Sequence, residues 1–563
     1  MAGAAGKREI IVLSLLPPSS FVAVPVTKLK EPEVVLNTSS MSDCDMAGQY
    51  AFCGKLEHEP AAAYSPTSKN VYAERYGGSG IGVNGGGARC GWAGGLTIKG
   101  IGPTLLAGRT APYWHSYGGA SLREAIRETI WGEVFNCALP YGASRVVGII
   151  KTGTCVPLRY PDENGSTTSP RALILRPAML RPAHFLPAAL FDAKDGFYKQ
   201  HPRDAVRTTQ ALQYFHPALC QSLGLPTTVP LEQLIALCVT RYARQISTAR
   251  AKRLVHGSIT PSNITLAGEY LDFGMSSALS DHGRIIVARA CPDSWEQHAP
   301  LSRSIDDLIF CLRKCGAFAH HSADSIALNI RNLFTSELDS QFRIELLKLS
   351  GVVGDDIRRL PPSIQHAASS VFIELITAGN SDPRKLLSPC PNYRPFMPDT
   401  IGRYHLGRCI VAVSENSSRD ASSDQLEKLI PDLDLRMRFC HAYWNLRDAD
   451  TRQYSCHETR RFMLGFTARR LNAPIPALYS FELNRQIDAV IRNGQSVVDF
   501  IGRTMDRCLL SLTQELETPF HWVSRELGEL RVGGQNGVVL NGHAIQLRDA
   551  AKFYAQLGID GNG

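Results

Sequence analysis

The sequence predicts an α+β protein of two lobes, preceded by an arm and followed by a mostly helical domain. Three observations predict it. Residues 61–194 are rich in glycine and short β-like runs and hold one strong helix. Residues 195–395 carry apolar residues at helical spacing. One long helix there runs directly into a loop of polar residues, and clefts between such lobes are where ligands bind.

Residues 1–60 are punctuated by Pro and Ser and contain one strand-like stretch, Phe21 to Val26, which suits an N-terminal arm. In the first lobe a helix is expected from Ser121. Ser121-Leu-Arg-Glu124 reads as a capping box, in which the Ser oxygen accepts a backbone N–H and Glu124 reaches back to the cap. Leu122, Ile126, Ile130 and Val134 should form its buried stripe. In the second lobe a helix is expected from Leu231 to about Leu254, with Leu231, Leu234, Ile235, Cys238, Tyr242 and Ile246 on one face, delivering the chain to His256-Gly257-Ser258. The loop-like Ser388-Pro-Cys-Pro-Asn392 closes that lobe, and residues 396–563 read as a C-terminal helical domain.

Hydrophobic residues at 44% and charged residues at 20% are ordinary for a globular chain with a sizeable core. The formal charge of +8 is spread along 563 residues and points to no acidic partner by itself. The fifteen cysteines form no CxxC pair and read as reduced thiols. The apolar run Ile10 to Leu16 follows Lys7 and Arg8, but Glu9 sits at its edge and Pro17-Pro18 ends it, which argues against a signal peptide. No stretch reaches the ~20 apolar residues of a membrane span. A cytoplasmic protein is the expectation, and no nucleic-acid module is recognisable.

Four elements carry the chemistry. Gly77-Gly-Ser-Gly80-Ile-Gly82-Val-Asn-Gly85-Gly86-Gly87 can bring backbone N–H groups close to phosphates. A Rossmann reading is poor, because no apolar strand is apparent before this run and no helix follows it. Leu96-Thr-Ile-Lys99 is a strand-like run ending in a lysine. Glu128 lies inside the capped helix, where a partly buried carboxylate needs a cation; Lys99 is the first candidate, and Arg123 or Arg127 could serve instead. Last come His256-Gly-Ser-Ile-Thr-Pro-Ser-Asn263 and Leu271-Asp272-Phe273-Gly274, whose Asn and Asp oxygens suit Mg²⁺. Each motif alone is weak. Their order is that of a protein-kinase-like fold, with the phosphate-binding Lys, its Glu partner, a catalytic loop and an Asp-Phe-Gly in register. Where the kinase loop has its catalytic Asp, this chain has Ser258, a poor base at neutral pH.

With these residues the chain resembles the selenoprotein O (YdiU-like) family of kinase-fold pseudokinases, colinearly from about residue 21 to 315. The resemblance runs through Val24-Pro-Val-Thr-Lys-Leu-Lys-Glu-Pro32 of the arm, Tyr76-Gly-Gly-Ser-Gly80, Lys99-Gly-Ile-Gly102, Leu122-Arg-Glu-Ala-Ile-Arg-Glu128, Leu175-Arg176 through Arg181, and the two loops just quoted. The chain also resembles, more faintly, the maturation proteins of siderophore-linked microcins. The resemblance implies adenylyl transfer from ATP with Mg²⁺ (or Mn²⁺), the nucleotide lying flipped relative to kinases. It implies that Lys99, Glu128, Arg176 and Arg181 manage phosphates together with Gly82, Gly85, Gly86 and Gly87, and that Asn263 and Asp272 hold the metal. The spacing from Arg176 to Arg181 is shorter than in the family and contains Pro177. The family's Asp before the metal Asn, the proposed base, is Ser262 here. A carboxylate acceptor is already ionised and needs no base, so the expected acceptor is a protein side chain or a peptide carboxylate. The alternative is an inactive ATP-binding scaffold; a kinase with another base is a third reading.

Two Cys-His pairs, Cys440-His441 and Cys456-His457, are expected to be buried helical cysteines beside surface histidines rather than zinc ligands. Arg460-Arg461 and Arg469-Arg470 are expected on a solvated face. A partner subunit could dock on the C-terminal helical domain.

Overall fold

The computed structural model describes residues 13–159, 161–162, 164–287, 291–318, 323–352, 355–379, 384–385, 404–416, 418–450, 456–513, 520–532 and 537–559. Ser388 to Asn392, and Ile10 to Val12 of the N-terminal apolar run, lie outside the described residues.

Eight antiparallel strands form the first lobe: β1 (Phe21–Leu29), β2 (Glu33–Asn37), β3 (Phe52–Cys53), β4 (Tyr64–Glu74), β5 (Cys90–Ala93), β6 (Leu96–Lys99), β7 (Gly148–Pro157) and β8 (Thr168–Pro177). Their order across the sheet is β2-β7-β8-β6-β5-β4-β1-β3. Val22, Val24 and Val26 alternate inward along β1, the period of a half-buried strand. β8 lies centrally, and Ala172 to Leu175 are buried on both faces. β1 pairs with β4 from Phe21↔Glu74 to Leu29↔Tyr64, and β2 pairs with β7 at the opposite edge. Residues before 60 therefore complete both sides of the sheet. A strand, β4, precedes the glycine run, but its mostly exposed Ser-Pro-Thr-Ser-Lys-Asn segment keeps it from reading as an apolar strand.

Helix α1 (Leu122–Ala138) packs under this sheet, with Leu122, Ile126, Ile130 and Val134 all buried as expected. Helix α2 (Leu231–Ala251) buries Leu234, Ile235, Cys238, Tyr242 and Ile246, whereas Leu231, at the open first turn, is only partly buried. It stops three residues short of the expected Leu254, because Arg253 turns left-handed at φ +59° and its guanidinium is drawn to the carbonyls of Ser280, Asn472 and Ala473. A two-stranded hairpin, Leu254–Val255 with Ser277–Ala278, then frames the polar loops. The architecture is α+β, two-lobed and kinase-like, with a mostly helical C-terminal part.

That C-terminal part also holds a four-stranded antiparallel sheet between Phe520 and Ala544, which the periodicity did not reveal. Two of its helices, α3 (Ser480–Arg492) and α4 (Val497–Leu512), share one apolar cluster with α1: Ile487, Phe500 and Cys508 belong with Ile126, Ile130 and Val134. The basic pairs are not simply solvated. Arg470 is buried and donates to the carbonyls of Leu510 and Thr513 at 2.9 and 2.6 Å, and Arg469 pairs with Glu415. Cys440 is buried beside exposed His441, as expected, whereas Cys456 is an exposed N-cap whose Sγ accepts from the Thr459 amide at 3.4 Å. Among the described residues no helix is long and apolar enough to cross a membrane.

Three buried histidines, two in the second lobe and one in the C-terminal part packed against it, make the fold acid-sensitive. His256, His282 and His405 each face a backbone carbonyl through Nε2, those of Leu271, Ala251 and Ser280, at 3.0, 2.9 and 3.0 Å. Burial pushes them down from the usual histidine value to about 4, about 3 and about 4 respectively. The unfolded chain binds protons on them first, so the stability they contribute is full above about pH 6.5 and is lost as pH falls toward 4. Urea midpoints measured from pH 7 to 4 should fall steadily, by an amount worth up to about 10 kcal/mol for three groups at ~1.4 kcal/mol per pH unit over about 2.5 units. A flat profile over that window would contradict the three neutral imidazoles.

Candidate functional site

A cleft of about 540 Å³ opens between the two lobes. Its roof is the glycine run with the ends of β6 and β8; its floor is the loop around Ser258 to Asn263 and the segment from Leu271 to Met275. The roof needs glycine at position 86. Its φ is +139°, and a Cβ there would stand 2.2 Å from the Glu74 carbonyl oxygen, because Gly86 bridges to Arg75 at the end of β4. Gly82, Gly86 and Gly87 line the cleft, but Gly85 does not: a Cβ on it would point at the Phe191 ring, 2.7 Å away.

Lys99, the last residue of β6, projects onto three carboxylates. It is bonded to Glu128, and lies 2.9 Å from both Glu124 Oε1 and Asp272 Oδ1. Burial opposes its charge, yet Asp272, Glu124 and Glu128 outweigh burial and hold the ammonium protonated well above the usual lysine range. Glu128 is fully buried and binds Arg176, from β8, through its other oxygen. It does not line the cleft; it tethers the two cations that do. Arg123 and Arg127 have other hydrogen-bonding partners. Arg123 is paired with Asp488, and Arg127 donates to Asn484 Oδ1 at 3.0 Å.

Arg181 also reaches the cleft. Its guanidinium stacks 4.8 Å from the Tyr76 ring centroid, pairs with Glu74 at 2.9 Å and donates to the Ser262 carbonyl at 3.1 Å. Glu74 is held at about 2: burial alone would raise it, but Arg181, His184 and Thr97 outweigh that.

On the floor, Asp272 adopts a left-handed backbone at φ +64°, rare for a non-glycine residue and concentrated at functional sites. Its side chain is 46% exposed, toward the cleft. Burial would raise its carboxyl, but Lys99, Arg176 and Arg89 hold it far below the usual carboxylate range. Asn263 anchors its amide nitrogen on the Ser258 carbonyl at 3.0 Å, which leaves the amide oxygen as its ligand end, with Ser262 Oγ 3.4 Å away. A carboxylate and an amide oxygen in one cleft suit a hard divalent cation, so the residues present fit Mg²⁺. Ser262 Oγ is engaged with Thr260 Oγ1 at 2.9 Å, and Ser258 lines the cleft beside it. The hydroxyl and amide groups around these two serines do not make either of them a base.

Sequence reasoning missed Arg89 and Glu124. Arg89 donates to Glu124 at 2.7 and 3.1 Å, and both line the cleft. Ser121 Oγ does accept from the Glu124 amide at 3.1 Å, but the Glu124 carboxylate does not return to the cap as expected. Two cations hold it more strongly than one neutral N–H can. The signal was present: Glu124 and Glu128 are four apart on one face. His115, from a single helical turn at Tyr113–Ser116, also lines the cleft; burial and then Arg89 and Arg159 push its imidazole below the usual value.

The fold and the opposed sets of residues define the class, a two-lobed kinase-like protein whose cleft gathers cations under a glycine-rich roof and oxygen ligands on its floor. In sequence the chain is similar to the protein nucleotidyltransferase YdiU of Marinomonas sp. (strain MWYL1), 24% identical over 276 residues, 48% of this chain and 52% of that protein. The relationship to YdiU-type proteins is a distant one, and the chain spans about half the length of the curated relative it matches. No family model matches the chain.

Proposed function

We propose that the cleft binds ATP with Mg²⁺ (or Mn²⁺) and that the chain transfers AMP to a protein or peptide acceptor. One observation carries this reading: Lys99, Arg89, Arg176 and Arg181 converge on the cleft, and each is oriented by a carboxylate. Four cations against Glu74, Glu124, Glu128 and Asp272 leave the cleft close to neutral. A triphosphate entering it would meet Asp272 unless a divalent cation came with it. Asp272 and Asn263 would hold that ion, which supplies charge neutralisation to the phosphate oxygens.

In the transfer the acceptor oxygen bonds to the α-phosphorus, the bond from that phosphorus to the bridging oxygen breaks, and pyrophosphate leaves with the electron pair. Lys99 and Arg176 are fitted to stabilise the charge that develops on the departing phosphates. Ser258 and Ser262 favour a carboxylate acceptor, such as a peptide C-terminus, which has no proton to lose. The name of the distant relative, a protein nucleotidyltransferase, supports the reaction class.

The test incubates the full-length protein with α-labelled ATP, Mg²⁺ and candidate protein and peptide acceptors. Pyrophosphate and a hydroxylamine-labile AMP adduct are expected; a hydroxylamine-stable adduct assigns a hydroxyl acceptor instead. ADP would mean a kinase, and ATP binding without turnover would mean the scaffold reading, which the two serines also favour. Ser262→Asp should raise AMP transfer to a hydroxyl acceptor by about 100-fold or more, the scale of a positioned general base.

A further inference from the structure

We infer that α3 and α4 are a built-in clamp on the glutamate helix α1, and that Asp488 is a positioning residue for the cleft. The inference rests on the nucleotide reading of the cleft and adds to it what sets the cations in place.

Helix α1 carries two pairs of charges, each spaced four apart. Glu124 and Glu128 face the cleft cations; Arg123 and Arg127 lie about 100° around the helix and face the C-terminal region. Arg123 is gripped by Asp488 of α3 through two parallel bonds of 2.5 and 2.6 Å, a fork geometry that fixes direction as well as distance. Arg127 is buried and donates to the Ser480 carbonyl at 3.3 Å, to Asn484 Oδ1 at 3.0 Å and to the Ser276 carbonyl, four residues beyond Asp272. One guanidinium thus joins α1, the start of α3 and the segment that follows Asp-Phe-Gly. At the far end Lys252 Nζ donates to the carbonyls of Ala138 and Leu512, the last residues of α1 and α4, at 2.7 and 2.6 Å.

Seventeen residues of α1, about 25 Å of helix, are therefore held at three points. Between these points the apolar cluster shared with Ile487 and Phe500 fills the interface. A small rotation of α1 would swing Glu124 and Glu128 off Lys99 and Arg176, and both cations would lose their orientation toward the cleft. The clamp lies over 350 residues downstream of the helix it holds, so its partner segment is supplied in cis.

The experiment compares full-length wild type, Asp488→Asn and Asn484→Ala. Without nucleotide, amide hydrogen exchange in residues 122–138 is expected to accelerate in both variants. With Mg²⁺, ATP affinity should weaken roughly 2- to 30-fold, the range of such indirect couplings. Adenosine affinity should not change, because adenosine has no phosphate for Lys99 and Arg176 to hold. Asp488→Glu, which keeps the charge, should recover part of the loss. Unchanged exchange in α1 together with unchanged ATP affinity would overturn the inference. An equal loss for ATP and adenosine would reduce Asp488 to a general stability contact and also overturn it. Should Asp488→Asn fail to fold, Asn484→Ala decides. Should wild type bind no ATP, the nucleotide reading falls, and the exchange measurement alone decides the clamp.

Discussion

Lys99→Met is expected to reduce pyrophosphate release by about 100- to 1000-fold, the scale of losing one preorganised charge-stabilising donor, while the protein stays folded. The fold survives because each carboxylate that Lys99 touches has a second recourse. Glu124 keeps Arg89 at 2.7 Å, Glu128 keeps Arg176, and the Asp272 side chain is 46% exposed and can turn to water. The structural cost should stay near ~1–3 kcal/mol, that of a buried acceptor left short of one donor. Calorimetric titration with ATP and Mg²⁺, run beside urea melts, separates the two. An ATP affinity equal to wild type would remove Lys99 from the phosphate site.

Glu128→Ala should behave in the opposite order, losing stability first. Glu128 is fully buried and binds both Lys99 and Arg176, so its removal strips two desolvated cations of one shared partner. Breaking a buried pair from one side costs about 3–5 kcal/mol, because the remaining charge stays in low dielectric. Urea midpoints should fall by that much, and ATP affinity should fall with them. Glu128→Gln keeps the shape and part of the hydrogen bonding, and should lie between wild type and Ala. A Glu128→Ala protein as stable as wild type would mean that Lys99 and Arg176 find Glu124 and Asp272 sufficient.

The motifs were legible because each is local. A glycine run, a strand ending in lysine, a helix with glutamate on one face and a polar loop after a long helix are all written within a few residues of chain. The Lys99–Glu128 contact could be anticipated from their order, since a buried carboxylate must find a cation. Arg89 and Glu124 were missed for the converse reason. The capping-box spacing offered Glu124 a local role, and only the fold shows Arg89 and Lys99 close enough to override it.

The C-terminal region shows the limit more sharply. Nothing near Asp488 says that it meets Arg123, and nothing near Lys252 says that two distant helices end at its Nζ. The short strands after Phe520 carry too few residues for their period to stand out from turns.

By itself the sequence determined the two-lobed α+β plan, the buried stripe of α1, and which residue types could meet phosphate and metal, because propensity and periodicity act over one or two turns. The tertiary structure alone decided which carboxylate each cation takes, that Gly85 turns from the cleft while Arg181 reaches it, and that the C-terminal helices grip α1. Those choices are settled by electrostatics and packing between residues up to 365 positions apart, and separation along the chain carries no information about distance in the fold.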